Sequence, residues 1–180
     1  MLKQMKKAGV NWLGYGIESG SPKIRKGVSK LGFGQENIRK VVKMTHELGI
    51  DIGANYIFGL PDDDMETMQQ TFNLAKELNC AYANFYCAMA YPGSQLYEDV
   101  KNQEGKLPKS WLGFAQLSEE ILPLPTKHLS SSQILRFRDK AFEEYYSSPD
   151  YLKMIEKKFG SEAVSHIKEM LKIKIKRKFA

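Results

Sequence analysis

The stretch Ile50–Asp64, IDIGANYIFGLPDDD, decides how this chain is read. Tyr56, Ile57 and Phe58 form a short apolar run between breakers, and Gly59, Leu60 and Pro61 end it. Asp62, Asp63 and Asp64 then offer N-caps to a following helix. The pattern is a buried strand that breaks abruptly into a loop. In βα architectures the loops at the carboxyl ends of strands carry the chemistry. A glycine there lets a ligand approach the backbone closely, so a side chain at Gly59 is expected to fill ligand space, and a proline stiffens the turn.

On both sides of this stretch strands alternate with helices. Upstream, Gln35–Leu48 carries Ile38, Val41, Val42, Thr45 and Leu48 at helical spacing and is closed by Gly49. Before it, Leu2–Ala8 reads as the last turns of a helix stopped at Gly9, followed by strand character over Val10–Ile17, the polar run Glu18–Ser21, and a short helical segment from Pro22 to Ser29. Downstream, Met65, Met68, Phe72 and Ala75 mark one face of a helix from Met65 to Leu78, and Cys80–Cys87 is a third strand ending in Ala88–Ser94. This alternation predicts an α/β fold with right-handed crossovers and a parallel sheet whose loops share one edge, about half of a barrel. A chain that opens on the end of a helix is expected to be the later part of a longer architecture. Half a barrel should leave its strand edges unpaired and one face uncovered, which predicts marginal stability and self-association.

The composition changes after Lys101, and the division expected is 1–105 for the half-barrel and 106–180 for an all-helical extension. Trp111–Gln116 is aromatic, and Leu122–Thr126 is a Pro-containing extended strip. Ser130–Ser132 can cap a helix from Gln133 to about Tyr146, Pro149 breaks it, Tyr151–Phe159 resumes, and Glu162 to about Lys176 forms a last helix.

The 180 residues carry a net charge of +6, much of it in the tail Lys168–Lys178, which argues against a nucleic-acid surface spread over the chain. No run approaches the roughly 20 apolar residues of a membrane span, and the basic start lacks a signal-peptide core, so the cytosol is the expected compartment. Cys80 and Cys87 have neither metal-ligand spacing nor the look of a disulfide framework, and read as buried free thiols.

Read together, GYGIESGS at Gly14–Ser21, Ser29-Lys30, NYIFGLPDD at Asn55–Asp63 and YPGS at Tyr91–Ser94 resemble the later half of the radical S-adenosylmethionine (radical SAM) barrel. The resemblance covers roughly residues 1–100 and implies the C-terminal half of a partial (β/α)6 barrel. A weaker likeness from Trp111 to Tyr151, ending in FEEYYSSPDYL, resembles the extension of the subgroup that carries a cobalamin domain ahead of the barrel. The resemblance implies that Glu18, with Ser19 beside it, contacts the SAM ribose, where a carboxylate suits two hydroxyls. It places Lys30 near the SAM carboxylate or ribose, Asn55 facing the ligand, and Ile57, Gly59, Leu60 and Pro61 in the adenine-binding stretch. Asp62 stands where the family has Glu, and Asn55 where it has Gly. Ala88, Met89, Ala90 and Tyr91 match the segment whose backbone meets the adenine edge.

The family's CxxxCxxC loop, which holds a 4Fe–4S cluster through three thiolates, has no counterpart here. The resemblance therefore implies a fragment with a partial SAM site, no metal ligands and no assignable catalytic residue. Its parent would carry the cluster, and cobalamin is compatible with the subgroup. The parent would cleave SAM reductively for hydrogen abstraction or methyl transfer on a small molecule, with the N-terminal half of the barrel as partner. Two other readings stay open on the residues: a phosphate- or sugar-binding (β/α) barrel with Asp62–Asp64 as metal ligands, and a non-enzymatic nucleic-acid-binding module using the basic C-terminal helix.

Overall fold

The computed structural model describes residues 1–27, 34–103 and 107–180. Three parallel strands, β1 (Trp12–Glu18), β2 (Asp51–Phe58) and β3 (Tyr82–Cys87), form one sheet in the order β1-β2-β3. The helices α1 (Leu2–Lys7), α2 (Pro22–Gly27), α3 (Gln35–Glu47), α4 (Met65–Leu78) and α5 (Gln95–Val100) alternate with them. A 3-10 turn at Trp111–Phe114 leads to α6 (Ser131–Ser147), α7 (Pro149–Phe159) and α8 (Ser161–Lys172). This is the expected α/β half-barrel with a helical C-terminal region.

Strand β2 explains why the sheet has two unlike faces. Ile52, Ala54, Tyr56 and Phe58 are fully buried, whereas Asp51, Gly53, Asn55 and Ile57 alternate with them and are half-buried. Helices α4, α6 and α7 pack on the first set, while Ile57 of the second meets Ile24 of α2. Phe58 and Phe85 stack at 5.7 Å between ring centroids, Phe72 of α4 meets Phe85 edge-on at 6.1 Å, and Phe137 of α6 meets Phe58 edge-on at 5.0 Å. The strands and α6 and α7 therefore share one hydrophobic core, so the compositional change near residue 105 does not separate two cores.

The C-terminal region also finishes one edge of the sheet. Ala81, Ala83 and Cys87 turn their backbone groups away from β2. Tyr151 Oη donates to Ala81 O at 3.1 Å, Tyr146 Oη donates to Ala83 O at 2.8 Å and accepts from Ala83 N at 3.1 Å, and the Gln116 amide brackets Cys87 N and O at 3.0 and 2.9 Å. Tyr145 Oη adds a bond to Cys80 O at 2.7 Å. The expectation of unpaired edges thus fails at β3, because side chains occupy the positions a next strand would fill.

Three helix boundaries differ from expectation for local reasons. Pro149 does not interrupt a helix but opens α7 at its first turn, where the missing N–H is not needed. Helix α8 stops at Lys172 instead of near Lys176, since Ile173 turns extended and Arg177 is drawn to Asp139 (2.8 Å) and Ser118 O (2.7 Å). The start of α6 is set by a capping box between Ser130 and Gln133. Ser29 and Lys30, at the expected end of the segment after Pro22, lie outside the described residues.

Candidate functional site

The carboxyl ends of all three strands lie on one edge, which brings Glu18, the Gly59–Asp62 loop and Ala88–Tyr91 together; Asn55 sits inside β2 on the open face. The strand end at Glu18 is unusual. The pairing of β1 with β2 slips between Gly16 and Glu18, and Glu18 has φ 65, a left-handed backbone that a glutamate adopts only when its surroundings impose it. The slip ends the regular alternation at the carboxyl end of β1, where Glu18 is half-buried. Such outliers concentrate at ligand sites.

Ser19 goes the other way. It is fully buried, and its hydroxyl is engaged with Thr71 Oγ1 at 3.1 Å and with Ser21 N at 3.1 Å. Gly20 follows with its N–H on Thr71 Oγ1 at 2.9 Å, and a Cβ there would stand 2.5 Å from Gln70 O, so the loop is pressed onto α4. The Ser19 hydroxyl therefore serves the loop.

The Gly59 loop is also held from inside. Gly59 has φ 79, and a Cβ added there would meet Ile134 Cγ2 at 2.8 Å on the helical side. Glycine is required here by the backbone and by packing against α6, not by space for a ligand, which corrects the steric expectation. The three acids diverge. Asp64 caps α4, accepting from Thr67 N at 2.8 Å, and that bond holds its carboxyl below the usual range. Asp63 turns inward, only 1% exposed, accepting from Leu60 N at 2.9 Å and Thr67 Oγ1 at 2.7 Å; its burial raises the pKa while those bonds oppose the rise. Asp62 pairs with Lys127 at 2.6 Å, and that hydrogen bond lowers its pKa. The three carboxylates thus have separate partners, and among the described residues no group of three His, Cys, Asp or Glu side chains is placed to hold a cation. This gives no support to the metal-binding alternative for Asp62–Asp64.

Between the loops lies a small apolar patch, Ile24, Leu60 and Ala88 with Ile57 beside it, separate from the main core. A shallow depression lined by Ile24, Gly27, Leu60, Pro61 and Asp62 adjoins it. Met89 and Ala90 are buried, and Tyr91 is 45% exposed. On the open face Asn84 Nδ2 donates to Asn55 Oδ1 at 2.8 Å, an amide pair between β3 and β2. An apolar patch at the strand ends, with an amide pair on the open face of the sheet, can hold a flat, partly polar ligand.

These features fall largely within residues 1–75, which match the radical SAM superfamily. The matched segment belongs to that superfamily. Over 150 residues the chain is 32% identical to an uncharacterized methyltransferase of Pyrococcus horikoshii, covering 83% of this chain and 32% of that protein. Over 131 residues it is 24% identical to the cytidylyl-2-hydroxyethylphosphonate methyltransferase of Streptomyces wedmorensis, covering 69% of this chain and 24% of that protein. The chain thus spans about a third of the first relative and about a quarter of the second.

A radical SAM cluster does not fit the thiols present. Cys80, just before β3, and Cys87, at its end, are buried, and burial pushes them up to about 12 and about 11, the opposite of what a thiolate ligand needs. The basic tail is also committed: Lys174 pairs with Glu143 at 2.6 Å, Arg177 with Asp139 at 2.8 Å and Lys178 with Glu120 at 3.2 Å. These pairs offset part of the tail's positive charge. No helix among the described residues is long and apolar enough to cross a membrane.

The positions that sequence reasoning missed are Asp63 as the inward clamp, Asn84, Gln116 and Thr126. The Asn84 position on alternation opposite Asn55 was the one available signal; the others act through contacts distant in sequence.

Proposed function

We propose that this chain supplies the nucleoside side of the SAM site of a radical SAM methyltransferase, with the 4Fe–4S cluster held by residues outside this sequence. The observation that carries it is Glu18, held at φ 65 on the same edge as the Gly59–Asp62 and Ala88–Tyr91 loops, inside a segment matching the superfamily. Glu18 accepts the ribose hydroxyls. Ile57, Leu60 and Ala88 receive the adenine face, and the backbone of Ala88–Tyr91 meets its edge. Lys30 serves the methionine carboxylate as a point charge. When bound by its own ligands, the cluster supplies the electron for SAM cleavage; the residues here bind and orient the nucleoside. The methyltransferase relatives favour methyl transfer to a small molecule over hydrogen abstraction, and cobalamin in the parent is compatible with it. The open edge of β1 receives the strands of the cluster-bearing half.

Titration calorimetry with S-adenosylhomocysteine tests this directly. The chain is expected to bind weakly, and Glu18→Gln to weaken binding about tenfold, as loss of a charge-assisted pair requires. Absence of binding both alone and with the cluster-bearing half would defeat the proposal.

A further inference from the structure

The strip from Phe114 to Ile134 lies beyond the superfamily match, yet it touches both nucleoside-side loops. Gln116 brackets Cys87, its Nε2 also lies 3.3 Å from Tyr91 Oη, and its own carbonyl accepts from Arg138 Nη2 at 2.8 Å. Leu124 N donates to Ala88 O at 3.1 Å. Two residues on, Thr126 Oγ1 donates to Asp63 O at 2.8 Å while accepting from His128 N at 3.1 Å and Leu129 N at 2.9 Å. That hydroxyl uses its one proton and both lone pairs. Lys127 then reaches Asp62 at 2.6 Å.

We infer that Thr126 and Gln116 are positioning residues for the adenosine moiety, so that affinity for the nucleoside depends on a strap the family match does not include. This rests on the SAM-site proposal above. Each loop alone is short and follows a strand; without the strap, the Gly59–Asp64 loop keeps its Asp63 bonds and its hold on Thr67 of α4, and the Ala88–Tyr91 segment keeps its link to Phe58 O at 2.8 Å and its turn onto Ser94. The strap adds the bonds to Asp62, Asp63 O, Cys87 and Ala88 O. The bonds of Thr126 and Gln116 run to Asp63 O and to Cys87 and Tyr91, that is, to the loops and their flanks. A rigid pair of loops loses less ordering entropy on binding than a loose pair.

The test uses the full chain, with Thr126→Val, Thr126→Ser and Gln116→Leu. Three quantities are measured: thermal midpoint, hydrogen exchange of the 59–64 and 88–91 segments, and affinity for S-adenosylhomocysteine. Thr126→Val is expected to speed exchange in the first segment and raise Kd about tenfold, with Thr126→Ser restoring both to within about twofold of the parent. Gln116→Leu is expected to act on the second segment, which keeps the inference testable if Thr126→Val fails to fold. Faster exchange with unchanged affinity would overturn the strap as a positioning device while leaving the SAM-site proposal standing. A parent chain that binds no S-adenosylhomocysteine, alone or with the cluster-bearing half, would overturn both.

Discussion

The two edges of the sheet are finished differently. At β3 the tyrosines of α6 and α7 and the amide of Gln116 occupy the outward backbone groups of Ala81, Ala83 and Cys87. At β1, among the described residues, nothing outside the sheet bonds to the backbone of Trp12, Gly14 or Gly16. A further strand can therefore join at β1 and is blocked at β3. The same asymmetry holds for two glycines: a side chain at Gly59 meets Ile134, and one at Gly14 meets nothing within 4 Å.

The largest expected effect follows from those glycines. Gly59→Val forces a β-branched residue into a left-handed backbone and against α6, and should cost roughly 2–5 kcal/mol in urea unfolding. Gly14→Val should stay within about 0.5 kcal/mol. Equal losses would erase the difference between the closed and the open side. Next comes Tyr146→Phe, which strands both Ala83 backbone groups at a site 1% exposed and should cost about 2 kcal/mol while promoting self-association. An unchanged urea midpoint would mean that water or a relaxed backbone satisfies that edge.

A pH series sharpens the same point with a smaller signal. Burial raises the hydroxyl pKa of Tyr145, Tyr146 and Tyr151 above the ordinary 10.0, so the unfolded chain releases those protons first. The stability they confer is fully present below pH 10.0 and declines as the pH rises beyond it. Urea midpoints measured at increasing alkalinity should fall more gently for Tyr145→Phe than for the parent; parallel slopes would show that Tyr145 titrates normally.

The strands, the loops and the cap at Asp64 were legible because each is a local pattern, alternation or breaker or cap, over a few residues. The order of those loops was enough to place Glu18 and Gly59 on one edge. The tyrosines of FEEYYSSPDYL could be read only as an apolar stripe, since their hydroxyl partners lie more than sixty residues away, as with the separation of 63 between Tyr146 and Ala83. The partner of the Ser19 hydroxyl was hidden because Thr71 lies 52 residues away. The reason for Gly59 was hidden in Ile134, on a helix that periodicity describes without saying what it covers. The tail was legible as charge, and its acidic partners on α6 and beside the 3-10 turn were not.

The central claim is that one edge of this sheet holds a nucleoside. Amide NMR spectra recorded while S-adenosylhomocysteine is added test it most directly. The account predicts shifts confined to Glu18–Gly20, Leu60–Asp62 and Ala88–Tyr91, with the strand starts at Trp12, Asp51 and Tyr82 unmoved. Shifts centred on those strand starts, or on the basic tail at Lys174–Lys178, would contradict it.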